Sequence, residues 1–237
     1  MWKGKTICVI LPTYREKDSI RKCINDFESL GLADKIIVVN NNAAPGTTEE
    51  VAKTSAIEIF EPTQGYGAAI QRGFEAAKED LVFVCEPDDT FVAQDVYKFL
   101  AYIDEVDVVY GSRTIKYFIW HDANMGWFLK FGNWAVAKLI EVLYNTTSLS
   151  DVGCTFRLIK QDALQKIKDD FRIKSNFFGP EMILLSSWNG LSFVQLPVNY
   201  RGRVGQSSVT GRFSRAVILG LQMIWLILTF RFRDYKK

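Results

Sequence analysis

Five short apolar runs, each ending near a polar motif and separated from the next by a helix-patterned segment, constrain this chain more than any other feature. Residues 6–11 (TICVIL), 35–40 (KIIVVN), 57–60 (IEIF), 81–85 (LVFVC) and 106–110 (VDVVY) are strand-length and mostly continuous in apolar character. Strands buried on both faces read this way. Residues 18–30 between the first two runs place Ile20, Cys23, Ile24, Phe27 and Leu30 at helical spacing, with Asp18 as a candidate cap. Further helices are expected over 47–53, 65–78 and 93–103. Strand–helix alternation of this kind predicts an α/β fold: a doubly wound, mostly parallel sheet flanked by helices. Ligands bind such sheets at the carboxyl ends of the strands, where the polar motifs of this chain fall.

The character changes after Gly111. Residues 115–144 hold Tyr117, Phe118, Trp120, Trp127, Phe128, Phe131 and Trp134, with a helix expected over 126–144. Residues 151–161 return to the sheet. Helices are expected over 162–167 and 180–187, and a strand over 192–200. A basic, Gly/Ser-rich loop spans 201–212, and residues 216–230 form a C-terminal apolar helix with only Gln222 and Thr229 polar. The expected organisation is a catalytic domain over 1–212, with a nucleotide-binding half (1–113) and an acceptor-side half (114–212). A membrane-associating or oligomerising helix over 213–237 follows.

Composition removes several function classes. Apolar residues make up 48% of the 237, enough for a large core. A net charge of +2 gives no broad field for nucleic acid, so none is expected as a partner. The single histidine, His121, excludes a multi-histidine zinc site. Cys8, Cys23, Cys85 and Cys154 form no CxxC and read as reduced cysteines of a cytosolic protein. Residues 7–11 are too short for the apolar region of a secretory signal, and Pro12 follows at once, so no such signal is expected there.

The strongest local signal is Glu86-Pro87-Asp88-Asp89, at the end of the fourth run. Bare carboxylates so close repel one another, and a divalent cation relieves the repulsion. Alternate residues of an extended segment point the same way, so Glu86 and Asp88 are candidate ligands of one Mg2+ or Mn2+ ion. The same segment also reads as an acidic turn in which Asp89 caps the next helix. Three weaker motifs occupy equivalent places: Pro12-Thr13-Tyr14-Arg15-Glu16, Asn40-Asn41-Asn42, and Gln64-Gly65-Tyr66-Gly67, with Arg72 one to two turns on. The Gly-x-Gly is not a full dinucleotide fingerprint.

Together and in this order, the four motifs resemble those of the family 2 glycosyltransferases, which have the GT-A fold. Pro12–Glu16 matches the PTYNE-like stretch of that family. Asn40-Asn41 stands where Asp-Asp is usual, and Gly65-Tyr66-Gly67 matches the Gly-rich turn. Glu86-Pro87-Asp88 falls on the DxD metal motif, with Glu in place of the first Asp. Gly111-Ser112-Arg113, residues 151–157 (DVGCTFR) and 197–208 (PVNYRGRVGQSS) resemble segments of the polyprenyl-phosphate sugar synthases, with Ser208 in place of a Lys. The resemblance implies transfer of a hexose, with inversion, from a UDP- or GDP-sugar to polyprenyl phosphate. Transfer to a lipid-linked oligosaccharide or another glycan is the alternative. It implies a nucleotide-sugar site at Pro12, Thr13, Tyr14, Glu16, Asn40, Gln64, Gly67, Arg72 and Pro87. The metal falls to Glu86 and Asp88, with Asp88 also catalytic. Arg113, Arg157, Arg201, Arg203 and Ser207 would bind acceptor or donor phosphates, and Asp151 would orient the acceptor or act as base. Asp151 also reads as a helix cap or a partner of Arg157, and Arg113 and Arg157 as members of structural ion pairs.

Residues 216–230 would extend only about 22 Å as a helix, short of the ~30 Å hydrocarbon core. Lying in the membrane interface or against a second copy of the chain fits better, with Arg231, Arg233, Lys236 and Lys237 toward an anionic cytoplasmic leaflet. A span over 213–232 with Arg215 and Arg231 snorkelling at its ends, and a plain core helix, are the other readings. The expected location is the cytoplasmic face of a membrane.

Overall fold

The computed structural model describes residues 1–123, 126–205 and 213–233. Seven strands form one sheet: β1 (Ile7–Thr13), β2 (Lys35–Asn40), β3 (Ile57–Phe60), β4 (Leu81–Val84), β5 (Val108–Ser112), β6 (Arg157–Lys160) and β7 (Phe193–Pro197), in the order β3-β2-β1-β4-β6-β5-β7. The strands β3, β2, β1 and β4 are mutually parallel, and β7 is parallel to β5. Strand β6 runs antiparallel to both β4 and β5, so the sheet is mixed beyond β4. The expected doubly wound, mostly parallel sheet is thus parallel without interruption only from β3 to β4, and β6 breaks the pattern.

Strand β1 continues through Pro12, where the sequence suggested an end. Even-numbered residues of β1 face β4: Thr6 and Ile10 carbonyls accept from the Leu81 and Cys85 amides. The missing N–H of Pro12 thus points to the β4 side, beyond the last residue of β4, and breaks no ladder bond. Side-chain parity divides the core. Cys8 and Ile10 pack into the cluster under the helices α3 (Tyr66–Ala76), α5 (Trp127–Tyr144) and α7 (Phe178–Trp188). Ile7, Val9 and Leu11 pack on the other face with α1 (Lys17–Ser29) and α4 (Val96–Tyr102). Short helices α2 (Thr47–Val51) and α6 (Gln161–Ile167) complete the layers.

The C-terminal helix α8 (Phe213–Thr229) packs on α5 and α7. Met223, Leu226 and Ile227 enter the core, while Ile218, Leu221, Trp225 and Leu228 remain exposed. Neither a plain core helix nor a free arm describes it: one face is buried and the other is apolar and bare. Among the described residues, no helix is long and apolar enough to cross a membrane. Of the 151–161 segment only Arg157–Lys160 is strand; residues 151–156 form a loop around a buried ion pair, and Gln161 opens α6.

Candidate functional site

A cavity of about 1070 Å³ opens where β1 and β4 end and α3 begins. Pro12, Thr13, Tyr14, Glu16, Gln64, Glu86, Arg113, Arg157 and Arg203, all singled out by sequence, line it. The cavity continues as an apolar arm between α5 and α8, walled by Phe128, Leu129, Val136, Leu219, Met223 and Ile224. That arm had no separate signature in the sequence, because each helix alone shows only an apolar face.

The acidic turn is held from three sides. Ser19 Oγ donates to the Pro87 carbonyl at 2.6 Å, tying α1 to the turn. Asp88 is fully buried, and its Oδ1 accepts from the Thr90 amide (3.0 Å) and hydroxyl (2.5 Å). The amides of Val204 and Arg201 donate to the Asp88 and Thr90 carbonyls, which pins the late basic loop across the turn. Asp89 caps no helix: it adopts a left-handed φ of 64° and pairs with Lys22 at 2.6 Å.

Glu86 and Asp88 converge on one point of positive charge. Arg203 Nη2 lies 3.0 Å from Glu86 Oε2 and also contacts Asp88 Oδ2. Burial, and then the Asp88 charge, push the Glu86 carboxyl up to about 7, with Arg203 opposing. The guanidinium stands in for a cation, so the two carboxylates fit a divalent ion that both would bind. No group of three or more His, Cys, Asp or Glu side chains among the described residues is arranged to hold a metal. Two protein carboxylates completed by ligand phosphates and water are the usual donor set for magnesium.

Other expected residues lie elsewhere. Asn40 turns from the cavity: its Nδ2 donates to Glu58 Oε1 (2.8 Å), and its Oδ1 accepts from the Ala43 amide (2.9 Å). Asn41 lines the cavity in its place, but its amide is occupied in holding the carbonyls of Glu61 and Thr63 and the amide of Gly65. Gly67 serves helix packing, since a Cβ there would collide with the Ile173 carbonyl oxygen. Gly65, at φ 153°, is pressed against the Lys174 carbonyl in the same way. Arg72 pairs with Glu75 along α3 at 3.2 Å and does not line the cavity. Pro87 contributes its carbonyl to Ser19 rather than a wall. The Arg201 guanidinium lies over the Trp120 ring, 4.6 Å from its centroid. Ser207 falls outside the described residues.

Asp151 is buried and bonded on both oxygens. Arg113 Nε and backbone N reach Oδ2 at 2.8 and 2.9 Å, while Arg113 Nη2 and the Gly153 amide reach Oδ1 at 2.9 Å each. Burial alone would raise the carboxyl, but the guanidinium and these bonds hold it below the usual carboxylate range. Its partner is Arg113, not Arg157, and this arrangement gives it no lone pair free for base work.

Arg157 is the opposite case. It is buried in the cavity wall, donating to the Cys154 carbonyl at 2.8 Å, with weaker contacts to Gly179 O and Met182 Sδ. Its guanidinium lies 5.5 Å from the Tyr110 ring centroid, and no carboxylate is within salt-bridge reach among the described residues. A buried guanidinium with no carboxylate partner among the described residues is chemically suited to an anion.

The glycosyl transferase family 2 model matches residues 8–168. The chain is 25% identical over 228 residues to the dolichyl-phosphate hexose transferase of Haloferax volcanii, covering 96% of each chain. It is 24% identical over 227 residues to an uncharacterized glycosyltransferase of Mycobacterium tuberculosis, covering 95% of this chain and 99% of the relative. Among solved structures it resembles the glucosyl-3-phosphoglycerate synthase of Mycobacterium tuberculosis crystallised with Mn2+, uridine diphosphate and phosphoglyceric acid. There the TM-score is 0.73 and the identity 16%, with 99% of this chain and 81% of that one covered. That similarity extends to the fold alone.

Proposed function

The chain belongs to the family 2 glycosyl transferases, and from that premise we propose that it moves a hexose, with inversion, from a UDP- or GDP-sugar to a polyprenyl phosphate. One observation carries the reading. A single cavity joins Glu86, with Asp88 of the acidic pair buried behind its wall, a buried guanidinium lacking a carboxylate partner among the described residues, and an apolar arm. A nucleotide diphosphate, a lipid phosphate and an isoprenoid chain have the chemistry of those three parts in turn. The name of the Haloferax relative supports the same acceptor class.

The roles follow from the geometry. The donor lies along residues 12–16 and Gln64, in the nucleotide-binding half over residues 1–113, with its diphosphate toward Glu86 and Asp88. A divalent ion held by these two carboxylates supplies charge against that growing on the leaving diphosphate. Arg203 exchanges its carboxylate contacts for the phosphates as the donor enters. Arg157 holds the acceptor phosphate, and Arg113, oriented by Asp151, completes its surroundings. A phosphate monoester is anionic near neutral pH, so its oxygen attacks the anomeric carbon with little base assistance. This agrees with the occupied lone pairs of Asp151. A glycan hydroxyl would need a base, and the geometry of Asp151 does not favour that second reading. The apolar arm and the bare face of α8 support peripheral association with the cytoplasmic surface of a membrane, where a lipid phosphate would be met.

The experiment supplies labelled UDP- and GDP-sugars with Mn2+, and offers undecaprenyl phosphate, dolichyl phosphate or 3-phosphoglycerate as acceptor. Label passing into the organic phase with the lipid phosphates supports the reading. Transfer to 3-phosphoglycerate alone, or to none, defeats it.

A further inference from the structure

Two hydroxyls of cavity-lining residues have no hydrogen-bond partner among the described residues. The phenol oxygen of Tyr66 and Oγ1 of Thr155 are shielded from water and make no hydrogen bond, and both residues line the cavity. Buried hydroxyls are almost always paired in folded proteins. Two orphans at one cavity are the mark of a wall built for a ligand with hydroxyls of its own.

Both stand on firm supports. Tyr66 is the first residue of α3. That helix start is anchored by the Gly65 amide on Asn41 Oδ1 (2.8 Å) and the Ala68 amide on the Lys174 carbonyl (3.1 Å). Thr155 follows the Asp151–Arg113 loop in sequence and directly precedes the buried Phe156 and Arg157. Tyr66 lines the same cavity as Glu86 and Arg157, the groups assigned above to the diphosphate and the acceptor phosphate, so a sugar passing from one to the other meets its wall. Each orphan is a neutral group that can donate and accept, which suits the hydroxyls of an uncharged sugar ring.

We propose that Tyr66 and Thr155 are specificity-determining residues that bind ring hydroxyls of the transferred hexose. This rests on the glycosyltransferase reading above. The sites that grip the diphosphate and the acceptor phosphate belong to other residues, so the two hydroxyls contribute to sugar recognition and not to nucleotide affinity.

Tyr66→Phe, Thr155→Val and the double variant keep side-chain volume and remove only the hydrogen-bonding capacity. Calorimetry in Mn2+ compares UDP with UDP-glucose and UDP-galactose, and GDP with GDP-mannose and GDP-glucose. For the nucleotide that the wild type binds, the diphosphate affinity stays within twofold in each variant. The affinity for its preferred sugar donor falls about five- to tenfold per hydroxyl, and discrimination between epimeric donors narrows. Equal losses for diphosphate and sugar donor, or no loss for either, would overturn the assignment while leaving the enzyme reading intact. Wild-type protein that binds none of these nucleotides with Mn2+ would remove the donor reading and this assignment with it.

Discussion

At the scale of single residues, charge pairing decides the behaviour of the site. Asp151 and Arg113 form a buried, doubly bonded pair. Removing one member of such a pair strands the other in a medium that solvates it poorly, at a cost of about 3–5 kcal/mol. Asp151→Asn therefore lowers unfolding stability by about that amount, read from urea titration at pH 7. The folded pKa of Asp151 is depressed, so its contribution is fully present above the unfolded carboxylate value of about 3.9. It is lost only as pH falls through the lower folded value. Stability between pH 5 and 8 is thus indifferent to this group. Glu86 behaves in the opposite sense, since its carboxyl is pushed up to about 7. A metal ion needs the ionised form, so Mn2+ binding with nucleotide strengthens as pH rises through that value and levels above it. Calorimetry in buffers of different ionisation enthalpy would show proton release below pH 7; a flat profile from pH 5.5 to 8 would contradict it. Arg203 already satisfies the acidic pair, so it competes with the ion when nucleotide is absent. Arg203→Ala tightens Mn2+ binding to the nucleotide-free protein about tenfold and weakens diphosphate binding by at least as much. Manganese resonance titrations measure the first effect.

At the scale of elements, helix α8 carries two faces with different tasks. Leu226 and Ile227 seal the core, and the Tyr144 hydroxyl donates to the Ile227 carbonyl at 2.6 Å. Arg231 fixes the end of the helix to α5 through the Leu143 carbonyl and the Tyr144 ring. The outer face exposes Ile218, Leu221 and Trp225 (68% exposed). Trp127 and Phe131 of α5, at 80% and 57%, add a second aromatic set. Apolar side chains so arranged, with tryptophan on both helices and basic residues after α8, suit the interface of an anionic bilayer. Full-length protein floats with phosphatidylglycerol vesicles, and the variant Leu221→Ser with Trp225→Ser partitions at least tenfold less, without loss of melting temperature. Wild-type protein that stays with the soluble fraction, or that buries this face in a dimer detected by sedimentation, would reject the bilayer as its occupant.

At the scale of the whole molecule, the sheet brings together loops that are far apart in the chain. The acidic turn, the start of α3 and residues 201–205 meet at one cavity although they come from opposite ends of the sequence. A ligand bridging them stabilises the whole fold and not one loop. At a hundredfold excess over its dissociation constant it contributes about 2.7 kcal/mol. For a chain of this size that corresponds to a rise of roughly 5–10 °C in melting temperature. Nucleoside diphosphate together with Mn2+ should give this shift in differential scanning fluorimetry, and either component alone should give much less. Equal shifts with and without metal would contradict the role assigned to Glu86 and Asp88.

The first half of the fold was readable from the chain because strand and helix patterns are local. Runs such as TICVIL and KIIVVN are buried on both faces, and each carries that burial in its own composition. The acidic turn and the Pro12–Glu16 stretch were readable for the same reason: unusual residues follow directly on a strand end, where an α/β sheet binds its ligands. Asn40 and Asn41 show where this stops. Adjacent residues on a strand point to opposite sides, and only the contacts with Glu58 and Gly65 decide which one meets the cavity. The antiparallel entry of β6 and the pairing of Asp151 with Arg113 instead of Arg157 depend in the same way on distant segments. So do the two unpartnered hydroxyls and the apolar arm between α5 and α8. Local sequence fixed the periodicities and the chemistry available; long-range packing alone decided which groups were consumed in building the walls and which were left for a ligand.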